Sequence, residues 1–282
     1  MSKEKPNYNE IIFTENQEKE IIDMYLNQNL STVKIGKLFN CGNKVIGRVL
    51  ERNNIPRTGV GQRKYALNEH YFDIIDTQEK AYILGFFYAD GCNFKPKSTV
   101  SMSLQEDDVE ILEKIRLEIQ SEKPLEYLNY SNKHDFGYTY KNQYRLQLFS
   151  SYMCNTLESI GMIPNKSLQL QFPNISEKLY SHFIRGYFDG DGSVYFADNG
   201  NCVVTITSTD DFCRCIKNIV EHSLKIHCTI SNASNNNGIT KVLSISGKYQ
   251  VETFFDWIYE DANLYLKRKH QKYIDKYYPL AS

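Results

Sequence analysis

Two related stretches decide the fold, AYILGFFYADG at residues 81–91 and HFIRGYFDGDG at residues 182–192. In each stretch two small residues stand four positions apart, so that they share one face of a helix. These pairs are Gly85 with Ala89 and Gly186 with Gly190. Small residues let two helix backbones approach closely, and the pattern therefore predicts that the two helices pack on each other. Asp90 and Asp191, each followed by a glycine suited to a helix end, would then lie side by side.

The sequence that follows each stretch is repeated as well. Alternating apolar and polar residues predict strands at 98–104 and 143–149 in the first copy, and at 202–207 and 241–246 in the second. Amphipathic helical patterns separate and follow these strands. Each copy therefore has the order α-β-β-α-β-β-α over about a hundred residues. This order predicts an α+β body with two pseudo-symmetric halves, at 65–172 and 173–282.

Two carboxylates held together at helix C-termini need a partner. The helix dipole disfavours an acid at that end, and the two like charges repel each other. A divalent cation removes both penalties, and hard carboxylate oxygens with a few waters suit Mg²⁺. One or two such ions can activate water for phosphodiester hydrolysis. The alternative is that the A-D-G and G-D-G sequences are only helix-ending turns, but two copies in the same context favour a metal site.

The stretches at 83–91 and 184–192 resemble the paired motifs of the LAGLIDADG homing endonucleases, and the resemblance covers roughly residues 69–282. It implies a monomer with two αββαββα halves, whose saddle-shaped antiparallel sheets lie along a double-stranded DNA target. The activity that it implies is site-specific, metal-dependent cleavage of both DNA strands across the minor groove.

The resemblance also implies roles for motif residues. Asp90 and Asp191 would bind the metal, Mg²⁺ or Mn²⁺, and the residues before them, Ala89 and Gly190, would offer backbone carbonyls. The two copies differ at the sixth motif position, which is Tyr88 in the first and Asp189 in the second. Both half-sites keep the metal-binding acid, so both are expected to be active with some asymmetry.

Further catalytic candidates come from the same resemblance, which places a basic residue near each metal site. The matching segments nominate Lys166 in the first half and Lys267 or Lys269 in the second. Such a lysine could balance charge in the transition state, or it could simply be solvated or bind a phosphate. Gln105 and Ser208, at the ends of matching strands, are candidates for contact with the attacking water.

The strands also supply candidates for contact with DNA, because alternate residues of a strand point away from the core. Polar and aromatic side chains predicted to face DNA are Asn93, Lys95, Arg145, Gln147, Tyr195, Thr205 and Lys241. Arginine and lysine suit guanine, whereas asparagine and glutamine suit adenine. A register slip of one residue would invert each of these assignments.

The N-terminal region has a different character. After a polar tail at 1–13, residues 14–64 show three short helical patterns, with a turn at Cys41-Gly42 in which Gly42 can take positive φ. Residues 34–64 carry eight basic residues against one acid. This organisation predicts a helix-turn-helix domain with a basic linker that binds DNA, although a helical bundle for protein contacts has the same pattern. The basic candidates are Lys44, Arg48, Arg52, Arg57, Arg63 and Lys64.

Composition sets the remaining limits. The 282 residues have a formal net charge of −1 and an apolar fraction of 41%, which are typical of a folded globular protein. Seven cysteines include no C-x-x-C pair, which argues against a zinc site. Residues 1–10 are polar, so we expect no signal peptide, and no apolar stretch is long enough to predict a membrane span. We expect an intracellular protein with no membrane partner, and its richness in Asn, Lys, Ile and Tyr predicts a bacterial or phage origin, with an organelle as the alternative.

Two other functions fit the same pattern. The first is a DNA-binding transcriptional regulator on this fold that no longer cuts, and the second is a maturase that assists the folding of an intron RNA. Retention of both Asp90 and Asp191 favours the endonuclease.

Overall fold

The computed structural model describes residues 11–28, 30–55, 65–130, 134–135, 138–163, 169–198, 200–233 and 240–277. The chain divides into two compact units, residues 1–66 and residues 67–282. Each unit is described by itself. Within the described residues, no helix combines the length and the apolar character that crossing a membrane requires.

The described part of the first unit contains three helices: α1 at Glu15–Leu26, α2 at Thr32–Leu38 and α3 at Asn43–Arg52. The side chains of Thr14 and Ser31 accept hydrogen bonds from backbone N–H groups in the first turns of α1 and α2. Such caps satisfy donors that have no partner inside the helix. The apolar faces of the three helices enclose a small separate core.

The turn between α2 and α3 differs from the expected one at Gly42. Gly42 does not take positive φ, because it immediately precedes α3 in extended conformation at φ −76°. Asn40 takes the left-handed conformation instead, at φ +50°, which asparagine tolerates better than most residues. Gly36 allows the turn to pack closely on α2, since a Cβ there would lie 2.7 Å from the carbonyl oxygen of Cys41.

The second unit contains two successive sets of elements. The first set is α4 at Gln78–Asp90, β1 at Gly91–Phe94, β2 at Thr99–Gln105, α5 at Val109–Glu118, β3 at Glu126–Leu128, β4 at His134–Asp135, β5 at Tyr138–Thr139, β6 at Gln143–Phe149 and α6 at Ser151–Ser159. The second set is α7 at Tyr180–Asp191, β7 at Gly192–Phe196, β8 at Cys202–Thr209, α8 at Asp210–Leu224, β9 at Thr229–Asn232, β10 at Thr240–Ser246, α9 at Lys248–Tyr259 and α10 at Lys267–Tyr277.

The two sets build equivalent antiparallel sheets of four strands, in the orders β1-β2-β6-β3 and β7-β8-β10-β9. Strands β4 and β5 pair separately. The apolar faces of both sheets and of their helices form one continuous core. The repeated α+β architecture predicted from the sequence is therefore confirmed, with α10 as an additional helix at the end of the second set.

Helices α4 and α7 pack on each other through the motif glycines. A Cβ on Gly85 would lie 2.1 Å from the carbonyl oxygen of Phe183, and one on Gly186 would lie 2.0 Å from that of Tyr82. Neither distance leaves room for a side chain, so the two backbones are in direct contact. The close approach predicted from the spacing of small residues is present, and it holds the C-terminal ends of the two helices next to each other.

Candidate functional site

Asp90 and Asp191 are the last residues of α4 and α7, and both are exposed. The two helix ends are adjacent. A Cβ built on Gly190 would lie 2.2 Å from Cβ of Ala89 and 3.2 Å from a carboxylate oxygen of Asp90. The helix contact therefore brings the two predicted metal-binding acids to one exposed place on the body.

Among the nominated lysines that the structure describes, Lys269, in the first turn of α10, lies at this place. Its side chain is buried, and Nζ donates hydrogen bonds to the carbonyl oxygens of Phe188 (2.7 Å), Gly190 (2.9 Å) and Gly192 (2.5 Å). Burial lowers the pKa of Lys269 to about 8, although the nearby charges of Asp189, Asp90 and Asp191 oppose this effect. A cation thus occupies the C-terminal end of α7, where the helix dipole is negative.

The other nominated lysines are placed differently. Lys267 is exposed and forms an ion pair with Glu110 of α5 at 2.7 Å. Its neighbour Arg268 pairs with the buried Asp108 at 2.9 Å, so the start of α10 is attached to the first half. Lys166 lies outside the described residues.

The residues at the motif ends fit a hydrated Mg²⁺ ion. Two carboxylates from Asp90 and Asp191 are hard oxygen donors, and Mg²⁺ commonly takes one or two carboxylates and completes its shell with waters and phosphate oxygens. The described residues contain no group of three or more His, Cys, Asp or Glu side chains that could hold a metal. The carbonyl of Gly190, which the resemblance nominates as a ligand, accepts a hydrogen bond from Lys269, so the ammonium competes for this oxygen.

Asp189 is buried and belongs to a network rather than to the exposed acid pair. Its carboxylate accepts hydrogen bonds from the hydroxyls of Tyr82 (2.9 Å) and Tyr259 (3.0 Å) and from the backbone N–H of Leu266 (2.7 Å). Burial raises the pKa of Asp189 to about 6, against the lowering effect of these bonds and of Lys269. The sixth motif residue of the second half therefore ties α4 and α9 to the segment that leads into α10.

Arg185 reinforces the same segment. It is fully buried, and it donates to the carbonyl oxygens of Leu264 (2.9 Å) and Ile258 (2.6 Å). Burial lowers the pKa of its guanidinium group. Sequence reasoning missed this network, although an arginine and an aspartate four positions apart, in the otherwise apolar stretch 183–190, were a signal for it. The network fixes the chain immediately before Lys269, and so it positions that lysine.

We expect Asp189→Leu to lower the free energy of unfolding by about 3 kcal/mol, because three buried donors would lose their acceptor. Urea denaturation of the full chain measures this loss. Asp256→Leu, at an exposed position on α9, is the matched control and should change the stability little. Equal effects of the two substitutions would show that the network contributes nothing.

The two candidates for contact with water, Gln105 and Ser208, are not equivalent. Gln105 is exposed at the end of β2, whereas Ser208 is buried and hydrogen-bonded to the Tyr187 hydroxyl at 2.9 Å. Tyr187 is also hydrogen-bonded to Asp191. The expectation that Ser208 faces an attacking water directly is therefore wrong, and its link to the acid runs through a buried tyrosine.

The reason is the register of the hairpins. Met102 pairs with the motif glycine in the first half, and Ile206 does so in the second. Counting from these pairs, Gln105 corresponds to Thr209 rather than to Ser208. The connection between β7 and β8 is longer than that between β1 and β2, and the sequence match of Gln105 with Ser208 is therefore wrong by one residue. An error of one residue moves a side chain to the opposite face of a strand.

Alternation along β1 corrects one predicted DNA contact. Asn93 is only 5% exposed, and its side-chain amide donates to the carbonyl oxygens of Cys154 and Met162 at 2.9 and 3.1 Å. It therefore points to the helix side of its sheet. Lys95 follows β1 in a short 3₁₀ helix, is exposed and pairs with Glu158 of α6 at 2.5 Å. Its contact with DNA stays a prediction.

Lys241 requires a further correction within the strands. It shares its face of β10 with the buried Leu243 and Ile245, and its Nζ donates to Asn232 of the neighbouring strand at 2.6 Å. Alternation along the strand thus places it on the core side, at the end of the sheet, rather than on the outer face.

Four predicted contacts do lie on the outer faces of the sheets. Arg145 and Gln147 alternate with the buried Leu146 and Leu148 on β6. Tyr195 and Thr205 alternate in the same way with core residues on β7 and β8. Their orientation fits a role in binding, which stays a prediction.

In the first unit, Lys44 and Arg48 are exposed on α3. Arg52, on the same helix, forms an ion pair with Glu18 of α1, so it also serves to hold α3 against α1. Arg57, Arg63 and Lys64 lie outside the described residues.

Comparison with known proteins supports the assignment of the fold. A family model described as LAGLIDADG-like domain matches residues 178–259. The uncharacterized protein MJ0314 of Methanocaldococcus jannaschii is 25% identical over 169 residues, which are 58% of this chain and 61% of that protein. The chain thus matches less than two thirds of the length of this curated relative.

A solved structure shows the same architecture at low sequence identity. The homing endonuclease I-WcaI, bound to its DNA recognition sequence, superposes with a TM-score of 0.51 and 12% identity, covering 78% of this chain and 97% of that one. Full-length DUF199/WhiA from Thermatoga maritima is 16% identical with a TM-score of 0.45, covering 76% of this chain and 66% of that one. The body of the protein has the LAGLIDADG fold.

Proposed function

We propose that this protein is a site-specific, divalent-metal-dependent endonuclease that cuts double-stranded DNA as a monomer. The observation that carries the proposal is the meeting of Asp90 and Asp191 at the ends of two helices in backbone contact, with the Lys269 ammonium in electrostatic reach of both. I-WcaI, which shares the fold, is a homing endonuclease that was solved bound to its DNA recognition sequence, and this supports DNA as the substrate.

Each group of side chains has a separate role in the proposed reaction. Asp90 and Asp191 would hold Mg²⁺, which supplies an activated water and charge stabilisation for phosphodiester hydrolysis when it is bound. Lys269 carries a positive charge that can balance negative charge on the scissile phosphate. Its three carbonyl acceptors and the Asp189 network hold it in place. The outer faces of the two sheets would bind the DNA. The exposed basic side chains of α3 would also contact DNA, as in a helix-turn-helix.

The first experiment is a cleavage assay on DNA from the genomic neighbourhood of the coding sequence, with Mg²⁺ and with EDTA. Discrete fragments that form only with Mg²⁺ would support the endonuclease. DNA that is bound specifically but remains intact under all conditions would contradict cleavage.

The second candidate function, a DNA-binding regulator, is favoured by one observation. The Gly190 carbonyl, which would otherwise be open to a metal, is already hydrogen-bonded to Lys269. A regulator with this arrangement would bind the same DNA with equal affinity in Mg²⁺ and in EDTA, and it would never cut it. Binding measured beside the cleavage assay distinguishes the two functions.

We predict that the first unit contributes electrostatic affinity through α3. Arg48→Glu should weaken DNA binding and should lower the slope of log affinity against log salt by about 1, since a phosphate contact is lost. Lys19→Glu, an exposed charge reversal on α1, is the matched control. Fluorescence anisotropy over a salt series measures both slopes, and equal slopes would contradict a special role for α3.

A further inference from the structure

The outer faces of the two sheets differ sharply in chemistry. On the first sheet the outward positions include Arg145, Gln105, Gln143 and Gln147. On the second sheet, the outward positions of the described strands are filled by serine, threonine and valine residues and by Tyr195. The two halves of the body therefore present different surfaces, although their strand order is the same.

The whole strand-and-turn regions show the same contrast in sequence. Segments 91–105 and 123–149 of the first half contain six lysines and arginines. The corresponding segments of the second half, 192–209 and 229–246, contain one, Lys241. That lysine lies on the core side of its strand and is bonded to Asn232. The second half thus supplies neither basic side chains on the outer face of its described strands nor basic residues in the turns of these segments.

Contacts within the protein orient two long polar side chains on the outer face of the first sheet, those of Arg145 and Gln147. Arg145 Nε donates to Ser103 Oγ at 3.1 Å, and its guanidinium lies 3.9 Å from Glu126. Lys123 donates to the side-chain oxygen of Gln147 at 3.1 Å. Fixed arginine and glutamine side chains can form paired hydrogen bonds with the edges of guanine and adenine, which discriminate strongly between bases.

The second sheet has groups of a different kind. The hydroxyls of serine and threonine can bond to any base, so they discriminate weakly. Val203 and Val242, both half-buried on the outer face, can contact only apolar groups. In the major groove the apolar group of a base pair is the methyl of thymine.

We propose that the two halves read DNA unequally. The first sheet recognises individual bases through hydrogen bonds, and the second sheet selects thymine-rich DNA through methyl contacts and otherwise tolerates base changes. This inference rests on the proposed DNA-binding function and specifies its substrate: an asymmetric site with one strongly determined arm and one permissive, thymine-rich arm.

Selection from double-stranded DNA with about thirty randomised base pairs, using the full chain in EDTA, tests the proposal without requiring cleavage. The expected result is a site with one arm of sharply determined positions that include guanine or adenine, and a second arm that is loosely determined and rich in thymine. Two arms with equal information would overturn the inference while leaving DNA binding intact. Recovery of no sequence above background would overturn the proposed DNA binding itself.

Variants assign the arms to the sheets. Arg145→Ala should relax one base position in the determined arm, with a loss of roughly 5- to 150-fold in affinity for the selected sequence. Deoxyuridine in place of thymine should weaken binding about fourfold for each methyl that the second sheet contacts, and Val242→Ala should reduce this effect. Deoxyuridine that is tolerated everywhere, or that acts only in the arm relaxed by Arg145→Ala, would contradict the proposal.

Discussion

Replacing Asp90 and Asp191 together with asparagine is expected to abolish cleavage and to leave DNA binding nearly intact. Asparagine has almost the shape of aspartate, so the exposed ends of α4 and α7 keep their packing. The substitution removes both charged oxygen donors that a hydrated Mg²⁺ would need. We expect the rate of cleavage to fall at least about a thousandfold, as measured on a defined target in a time course with Mg²⁺.

Two comparisons separate a chemical role of these acids from a structural one. Asp256→Asn, on the exposed side of α9, changes the charge in the same direction away from the helix pair and should cut normally. The affinity of the double variant for the same DNA in EDTA should equal that of the unchanged protein. Residual cleavage would remove the two acids from the chemistry, and lost affinity would assign them a structural role.

The predicted features that the structure confirms follow from the spacing of small residues and from the alternation of apolar and polar residues. The spacing of Gly85 with Ala89, and of Gly186 with Gly190, places two small residues on one face of each helix, and the close packing of α4 on α7 follows from it. The alternation of strand residues and the repeat of the whole pattern predicted two equivalent sheets, and both are present. These features depend on local sequence, and the repeat supplied a second, independent example of each.

Errors arose where a single residue of register decides the outcome. Asn93 and Lys241 both lie on the core side of their strands, and a polar side chain near a strand end does not by itself reveal its face. The Asn93 amide finds two carbonyl acceptors there, so its burial is satisfied. Only the pairing of the strands, which the sequence does not display, distinguishes such a residue from one that faces the solvent.

The partners of Asp189 could not be predicted, because they are distant from it in sequence. The partners of the carboxylate lie on α4, at the end of α9 and just before α10. In the first half the corresponding residue is Tyr88, whose hydroxyl donates to the carbonyl of Ile160 in the segment that follows α6. The two sixth positions therefore perform the same task with different chemistry, since each holds the chain that leaves its half.

The second large effect concerns the helix contact itself, and we expect Gly186→Ala to destabilise residues 67–282 severely. Alanine normally stabilises a helix by about 1 kcal/mol relative to glycine. Here its Cβ would lie 2.0 Å from the carbonyl oxygen of Tyr82 and 2.9 Å from the backbone nitrogen of Phe86. Both obstacles are backbone atoms of α4, so no change of rotamer relieves the collision and the helices must separate. We expect a loss of about 4 kcal/mol or more in the free energy of unfolding, and a melting temperature lower by roughly 10 °C.

Gly200→Ala separates the collision from the ordinary effects of adding a methyl group. Gly200 has φ +79° and nothing within 4 Å of the added Cβ, so its substitution costs only the left-handed conformation, about 1–2 kcal/mol. Thermal denaturation of both variants, followed by circular dichroism, should show a much larger loss for Gly186→Ala. Equal losses of stability would mean that α4 and α7 can move apart at little cost in free energy. In that case the helix contact could not be what holds Asp90 and Asp191 together, and the proposed metal site would not be preorganised.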